Sequence, residues 1–330
     1  MAKKLDADRE RHVTEPRAVI PGYDLRFRWH DGSWEKIFDK QIELIQDDIK
    51  RVRAEDKLVV YLSCPISSRG GSYHGTNVDI AKHTERRLLQ RWGERFWILN
   101  PAQYQLESKA GTGLITRHAK EAGIALDELE AYSKPGGGDY MRMWMTVLVH
   151  DDDGSEDPAE GRPDPRLKDT GQRFDAFYFL GPSDVHDFFT LGREQTLSAG
   201  VEEYFARRFA TDPDFRDFFS LEGLEWRRGW ADDKGLSQAE KKAQTGLRQT
   251  WEELRKQFVN FYTLRASVNF SLGSHDEWNI FQQINSKRRK ALVSAEMPNG
   301  DPGIQLAGFF DGVQIDPAST ETAVSRGYAV

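Results

Sequence analysis

The sequence predicts an α/β protein, a doubly wound parallel sheet followed by a mainly helical C-terminal region. Three observations carry that expectation. Residues 57–63 (KLVVYLS) form a short β-branched run ending in Cys64-Pro65, the pattern of a strand buried on both faces. A Gly-rich polar loop, a helical stretch reaching Trp92, Gly93 and a second short run, Phe96 to Leu99 (FWIL), follow it. Together they span about 45 residues, the size of a βαβ unit, whose crossover demands a parallel sheet. Beyond residue 212 the apolar residues Leu247, Trp251, Leu254, Phe258 and Phe261 recur at spacings of four and three, the helical period.

Taken in order, residues 1–22 are highly charged with almost no apolar period and read as a flexible arm. Phe38, Ile42, Ile45, Ile49 and Val52 place one apolar face on a helix from Trp34 to Val52. After the strand at 57–63 comes the loop SSRGGSYHG, with Thr76-Asn77 as the N-cap of a helix and Gly93 as its stop. Gln103 to Ala131 reads as a helical insert, and Pro135 to Gly138 break the chain before a Met- and Trp-rich helix, Tyr140 to Val149. Residues 151–171 are acidic, carry Pro158, Pro163 and Pro165, and read as an exposed, cleavable loop. Residues 174–180 (FDAFYFL) give a third strand, expected parallel to and adjacent in one sheet with 57–63 and 96–99. A helix runs from Leu197 to Phe209. The chain is thus expected to divide into the arm, an α/β domain at 23–211 and a helical region at 212–330, with 303–330 open.

Composition narrows the function. Forty-six basic against fifty-three acidic residues leave a net charge of −7, which provides no field for gathering a nucleic-acid polymer. A single cysteine, Cys64, permits no internal disulfide, and no run approaches the ~18 apolar residues of a membrane span. A cytoplasmic, non-membrane protein is expected. Nine Trp and nineteen Phe make for a ring-rich core, and the aromatic stripes outside the sheet, more than one small core covers, favour a homo-oligomer.

The order of the motifs is informative. VVYLSCPIS, Asn77 opening a helix, Gly93 ahead of a strand ending in Asn100-Pro101-Ala102, and a Met/Trp helix before FDAFYFL together resemble the nucleoside 2-deoxyribosyltransferases. The likeness covers residues 57–105 well and 139–205 loosely. In the family pattern the first strand ends in a YLAGP-like turn, and the second ends in Asn-Pro. A helix with an Asp precedes an Ala-Asp strand, and a Gly-led helix presents a catalytic Glu four residues after its Gly. The resemblance implies a Rossmann-like or flavodoxin-like fold and cleavage or transfer of the N-glycosidic bond of a nucleoside or nucleotide, without metal or cofactor. Such chemistry passes through an oxocarbenium-like state, which needs a carboxylate beneath the anomeric carbon and a proton or hydrogen bond at the leaving base.

By that resemblance Glu202 or Glu203 in SAGVEEYF is the nucleophile, Tyr61 orients it and Asp139 assists the base. Cys64, Pro65, Ile66, Arg69, Asn77 and Asn100 fall on the substrate side. The sequence departs from the pattern in two places. Gly200 has Tyr204, not Glu, at the fourth position, and the helix Asp aligns near Trp144, with Asp139 the nearest acid upstream. Asp175 matches the Ala-Asp position, which is structural.

Plainer readings stand beside these. Glu202 and Glu203 fit a solvated helix face near Arg207 and Arg208, Tyr61 a core residue, Asp139 and Asn77 helix caps, and Cys64 a small buried side chain. The SSRGGSYHG loop, with Arg69, suits a phosphate but lacks the P-loop and GxGxxG spacings. No His, Cys, Asp and Glu grouping has zinc-site spacing. The second functional reading is a nucleotide-sensing or protein-interaction module that keeps the fold without the acid pair.

Overall fold

A computed structural model describes residues 13–66, 71–106, 109–151, 167–219, 237–265, 271–292, 305–316 and 325–330. The protein is α/β, with a five-stranded, mostly parallel sheet. Strands β3 (Leu58–Ser63), β4 (Phe96–Leu99), β5 (Ala176–Phe179), β6 (Ala307–Phe310) and β7 (Val313–Ile315) lie in the order β4-β3-β5-β6-β7. The three strands expected from the sequence are adjacent and parallel, with Tyr61 opposite Leu99 of β4 and opposite Phe177 of β5. β6 continues the parallel run beside β5, and β7 folds back antiparallel. The β6–β7 turn places Asp311 and Gly312 at φ 52° and 81°, the backbone that an Asp-Gly hairpin turn favours.

Contacts divide the chain into two compact units. The first holds the described residues of Met1–Pro65, Glu85–Leu180 and Phe270–Val330, and the second those of Ile66–Thr84 and Gly181–Asn269. The division therefore does not fall at residue 211. Helix α10 (Leu272–Leu292) and β6 and β7 belong with the sheet, because Phe281 of α10 packs its ring 5.6 Å from those of both Phe177 and Phe179. Helical periodicity marks a segment as a helix. It carries no information on which sheet or helix that segment will cover.

In the first unit, one face of the sheet meets α1 (Ser33–Ala54), α5 (Gly137–Val149) and α10. The apolar stripe Phe38, Ile42, Ile45, Ile49 and Val52 of α1 is buried as its spacing requires. On the opposite face the Trp92 ring meets Tyr178 and Phe309 at 6.0 and 5.4 Å. Arg53 at the end of α1 donates to the Arg173 carbonyl and pairs with Asp175 at 3.0 Å, and Asp175 accepts from Val59 N–H at 2.7 Å. Asp175 thus pins the start of β3, a structural role.

Residues 13–22 depart from the expected arm. Val13 bridges His30, β1 (Arg17–Ala18) pairs with β2 (Arg26–Phe27), and Ile20 is buried. Their few apolar side chains have no period of their own and are ordered by long-range packing. Residues 1–12 lie outside the described residues. The loop expected at 151–171 is likewise not exposed at its ends. Asp151 is buried and accepts from the N–H groups of Thr170 at 2.9 Å and Gln172 at 2.8 Å, and residues 152–166 lie outside the described residues.

α5 begins at Gly137, three residues earlier than its apolar pattern, because the Asp139 carboxylate caps the Gly136 N–H, and Gly138 packs against Arg28, just after β2. A Cβ there would stand 1.8 Å from the Arg28 carbonyl oxygen. Gly138→Ala is expected to cost about 1–3 kcal/mol in denaturant unfolding, as overpacking against backbone does. An unchanged midpoint would show that β2 gives way freely.

The second unit is helical: α6 (Pro182–Thr190), α7 (Leu197–Thr211), α8 (Pro213–Phe219), α9 (Gln238–Arg265) and the first half of α2 (His74–Trp92). Phe205, Phe215, Phe219, Phe258 and Tyr262 are all buried there. Among the described residues no helix is long and apolar enough to cross a membrane.

Candidate functional site

The site is built at the carboxyl end of β3, an interior strand between β4 and β5. The connection leaving β3 runs to β4 on one side and that leaving its neighbour β5 runs to β6 on the other, so the strand order reverses between β3 and β5. In open α/β sheets such a switch point is where ligands bind. Tyr61 and Ser63 are two residues apart and so project from the same face of the pleat. Both hydroxyls reach one side chain, Glu277 of α10. Tyr61 O–H donates to Glu277 Oε1 at 2.7 Å, and Ser63 O–H donates to Glu277 Oε2.

All three groups are buried, Glu277 to 5% exposure. Burial pushes the Glu277 carboxyl up to about 7, although the two hydroxyl bonds favour its ionised form; the neighbouring charge of Asp276 adds to the rise. Burial beside this carboxylate also pushes the Tyr61 hydroxyl well above its usual value, so Tyr61 remains a donor. Trp144 and Phe177 flank the Tyr61 ring at 5.6 and 5.2 Å and fix its direction. The arrangement holds a carboxylate with both oxygens oriented and a proton affinity near neutrality, which suits a nucleophile or a general base.

The other residues singled out in the sequence go elsewhere. Asp139 is buried at the start of α5, where it accepts from Gly136 N–H and His30 N–H, each at 2.8 Å, and faces His30 Nδ1 at 3.0 Å. It is a helix cap and cannot reach a leaving base without breaking that cap. Glu202 and Glu203 of α7 are exposed, with Glu203 3.2 Å from Arg193 and Glu202 3.7 Å from Arg255. They line an open groove of about 680 Å³ with Phe205, Phe209 and Trp251. Tyr204, at the fourth position after Gly200, turns inward and donates to Asp79 at 2.9 Å. The pair is thus a solvated, ion-paired helix face, and Tyr61 is committed to Glu277.

Cys64 is buried, its S–H directed to Asn100 Oδ1 at 3.8 Å, and Asn100 Nδ2 donates to Glu85 at 2.7 Å while its Oδ1 caps Ala102. Pro65 is buried beside them. Asn77 is not the N-cap of α2, which begins three residues earlier. Its amide donates to the Ile66 carbonyl at 3.2 Å and its Oδ1 accepts from Tyr262 at 2.9 Å. Arg69 lies outside the described residues. Among the described residues no three or more His, Cys, Asp or Glu side chains gather as a metal site would require.

No family model, curated protein or solved structure matches the chain. The site therefore rests on its own geometry.

Glu277 is the residue that sequence reasoning missed. Two signals pointed to it. Gly273 precedes it by four, the interval that the resembled pattern places between Gly and catalytic Glu, and Ile280, Phe281, Ile284 and Arg288 continue its buried helix face. The motif order extends only to residue 205, where the Gly interval falls on Gly200.

Proposed function

We propose that the protein cleaves or transfers the N-glycosidic bond of a nucleoside or nucleotide, with Glu277 as the nucleophile. One observation carries the reading: a buried carboxylate gripped by two hydroxyls at the carboxyl end of an interior parallel strand. The Gly273–Glu277 interval, the Tyr61 position and the Rossmann-like strand order support it, and helices meeting both sheet faces favour the doubly wound description. A carboxylate Oε attacks the anomeric carbon as the C–N bond breaks, the electron pair leaves with the base, and the base takes up a proton. The glycosyl ester is then resolved by water or by a second base. Tyr61 and Ser63 are positioning residues that keep the carboxylate from rotating.

Incubation with a panel of nucleosides and nucleotides should release free base. A 2-deoxy-2-fluoro nucleoside should leave a sugar adduct on the peptide containing Glu277, read by mass spectrometry. Because the nucleophile must be ionised, kcat/KM should rise with pH through about 7. No base released from any ribosyl or deoxyribosyl substrate would refute the reading and favour a binding module.

Tyr61→Phe removes one of the two donors. Base release should fall by about tenfold to a hundredfold, the 1–3 kcal/mol of a hydrogen bond to a charged group. The acid limb of the pH profile should move upward, since the ionised form loses a donor. A downward shift or none would show that the hydroxyl does not serve the carboxylate.

A further inference from the structure

Glu277 stands between two neighbours on α10 that are held by the end of the chain. Asp276 is fully buried, and its two oxygens accept three successive backbone N–H groups: Gly327 at 2.9 Å, Tyr328 at 2.6 Å and Ala329 at 3.2 Å. His275 faces the Ser325 hydroxyl at 2.9 Å. The tail is itself fastened to the sheet's unit. Val330 N–H donates to the Arg26 carbonyl of β2 at 2.9 Å, Arg326 pairs with Asp24 at 3.0 Å, and the Tyr328 ring lies over Gly137 at the start of α5. A Cβ on Gly137 would fall 2.0 Å from that ring.

We propose that Asp276 is a positioning residue for Glu277, and that residues 325–330 form a clamp which, through Asp276, fixes the first turns of α10 and presses the Glu277 carboxylate onto Tyr61 and Ser63. The physical basis is the amount of polar backbone committed to one side chain. Three N–H groups on one carboxylate make the joint stiff, and without it each would lose its acceptor, that of Ala329 in a buried position. Consecutive helix residues cannot move independently, so the joint at 276 sets the position of 277. The clamp also covers Asp276, which with Glu277 is buried although Leu272 at the helix start is exposed, and such burial is the condition under which the Glu277 carboxyl stays hard to ionise. The groups facing Glu277 are Tyr61 and Ser63 of β3 and Asp276 on its own helix, and of these Asp276 is the one tied to the tail.

For the activity arm alone, this rests on Glu277 being the reacting group. Two variants break the joint from opposite sides. Asp276→Ala removes the acceptor. Gly327→Ala leaves Asp276 intact but puts a Cβ 1.7 Å from the Leu272 carbonyl oxygen, so the tail must lift from α10. The Glu277 carboxyl titration is followed by carbon-13 NMR of the full-length protein, with no substrate present, and base release is measured in parallel.

Burial outweighs the two hydroxyl bonds at Glu277, so the water admitted by either variant should lower its titration midpoint by at least one pH unit, and the pH profile of base release should shift with it. If both variants lose stability while the midpoint stays in place, Asp276 is merely structural and the proposal is overturned. A shift in Asp276→Ala but not in Gly327→Ala would reduce the effect to the lost charge and also overturn the clamp. Where either chain fails to fold, Asp276→Asn, which keeps one accepting oxygen, is read by the same criteria. The titration decides the clamp even if the wild-type protein releases no base, so the two readings fail separately.

Discussion

Glu277→Gln is expected to abolish base release while making the protein more stable at neutral and alkaline pH. The loss of activity should be on the order of a thousandfold or more, as for removal of an attacking group. The gain in stability follows from linkage. The carboxyl titrates near 4.5 in the unfolded chain and about 7 in the fold. Below pH 4.5 it is protonated in both states and contributes nothing. Between 4.5 and 7 the folded state holds the extra proton, so stability falls as pH rises. Above 7 the ionised carboxylate costs the fold about 3 kcal/mol. A neutral amide avoids that cost and keeps both contacts, since its oxygen accepts from Tyr61 and its N–H donates to Ser63. The two proteins should therefore unfold alike at pH 4 and diverge up to pH 8 in urea titrations. A variant less stable than the wild type at pH 8 would show that Glu277 is a structural carboxylate, stabilised in its ionised form.

Phe258→Ala should be the most destabilising core substitution in the helical unit. Phe258 is fully buried, with the rings of Phe205, Phe215, Phe219 and Tyr262 between 4.7 and 5.7 Å away. Truncation removes a whole ring and leaves a hole bounded by other rings, which have few rotamers with which to fill it. A loss of about 3–5 kcal/mol is expected in denaturant unfolding. Hydrogen exchange should show the amides of α7, α8 and α9 losing protection together. A loss below about 1 kcal/mol would mean that the aromatic cluster repacks around the gap.

The sequence by itself determined the elements whose signal is local. KLVVYLS, FWIL and FDAFYFL are strands because β-branched and aromatic runs bounded by Gly, Pro and Asn have few other uses, and a βαβ spacing makes two of them parallel. The α1 stripe is buried where its period puts it, and Tyr61 lies on β3 with its hydroxyl on a buried carboxylate. What local pattern cannot encode is which distant segment answers that hydroxyl. Glu277 lies 216 residues from Tyr61, and its Gly273 interval is no stronger as a sequence signal than the one around Gly200. Tertiary packing separates the two in burial alone: α10 against Phe177 and Phe179 buries Glu277, whereas Glu202 and Glu203 lie exposed on α7. The same holds for Asp139, whose carboxylate is indistinguishable in sequence from a catalytic acid until Gly136 and His30 are seen to occupy it. A side chain's chemistry is set by its desolvation and its partners, and both come from long-range contacts that form only when the chain has folded.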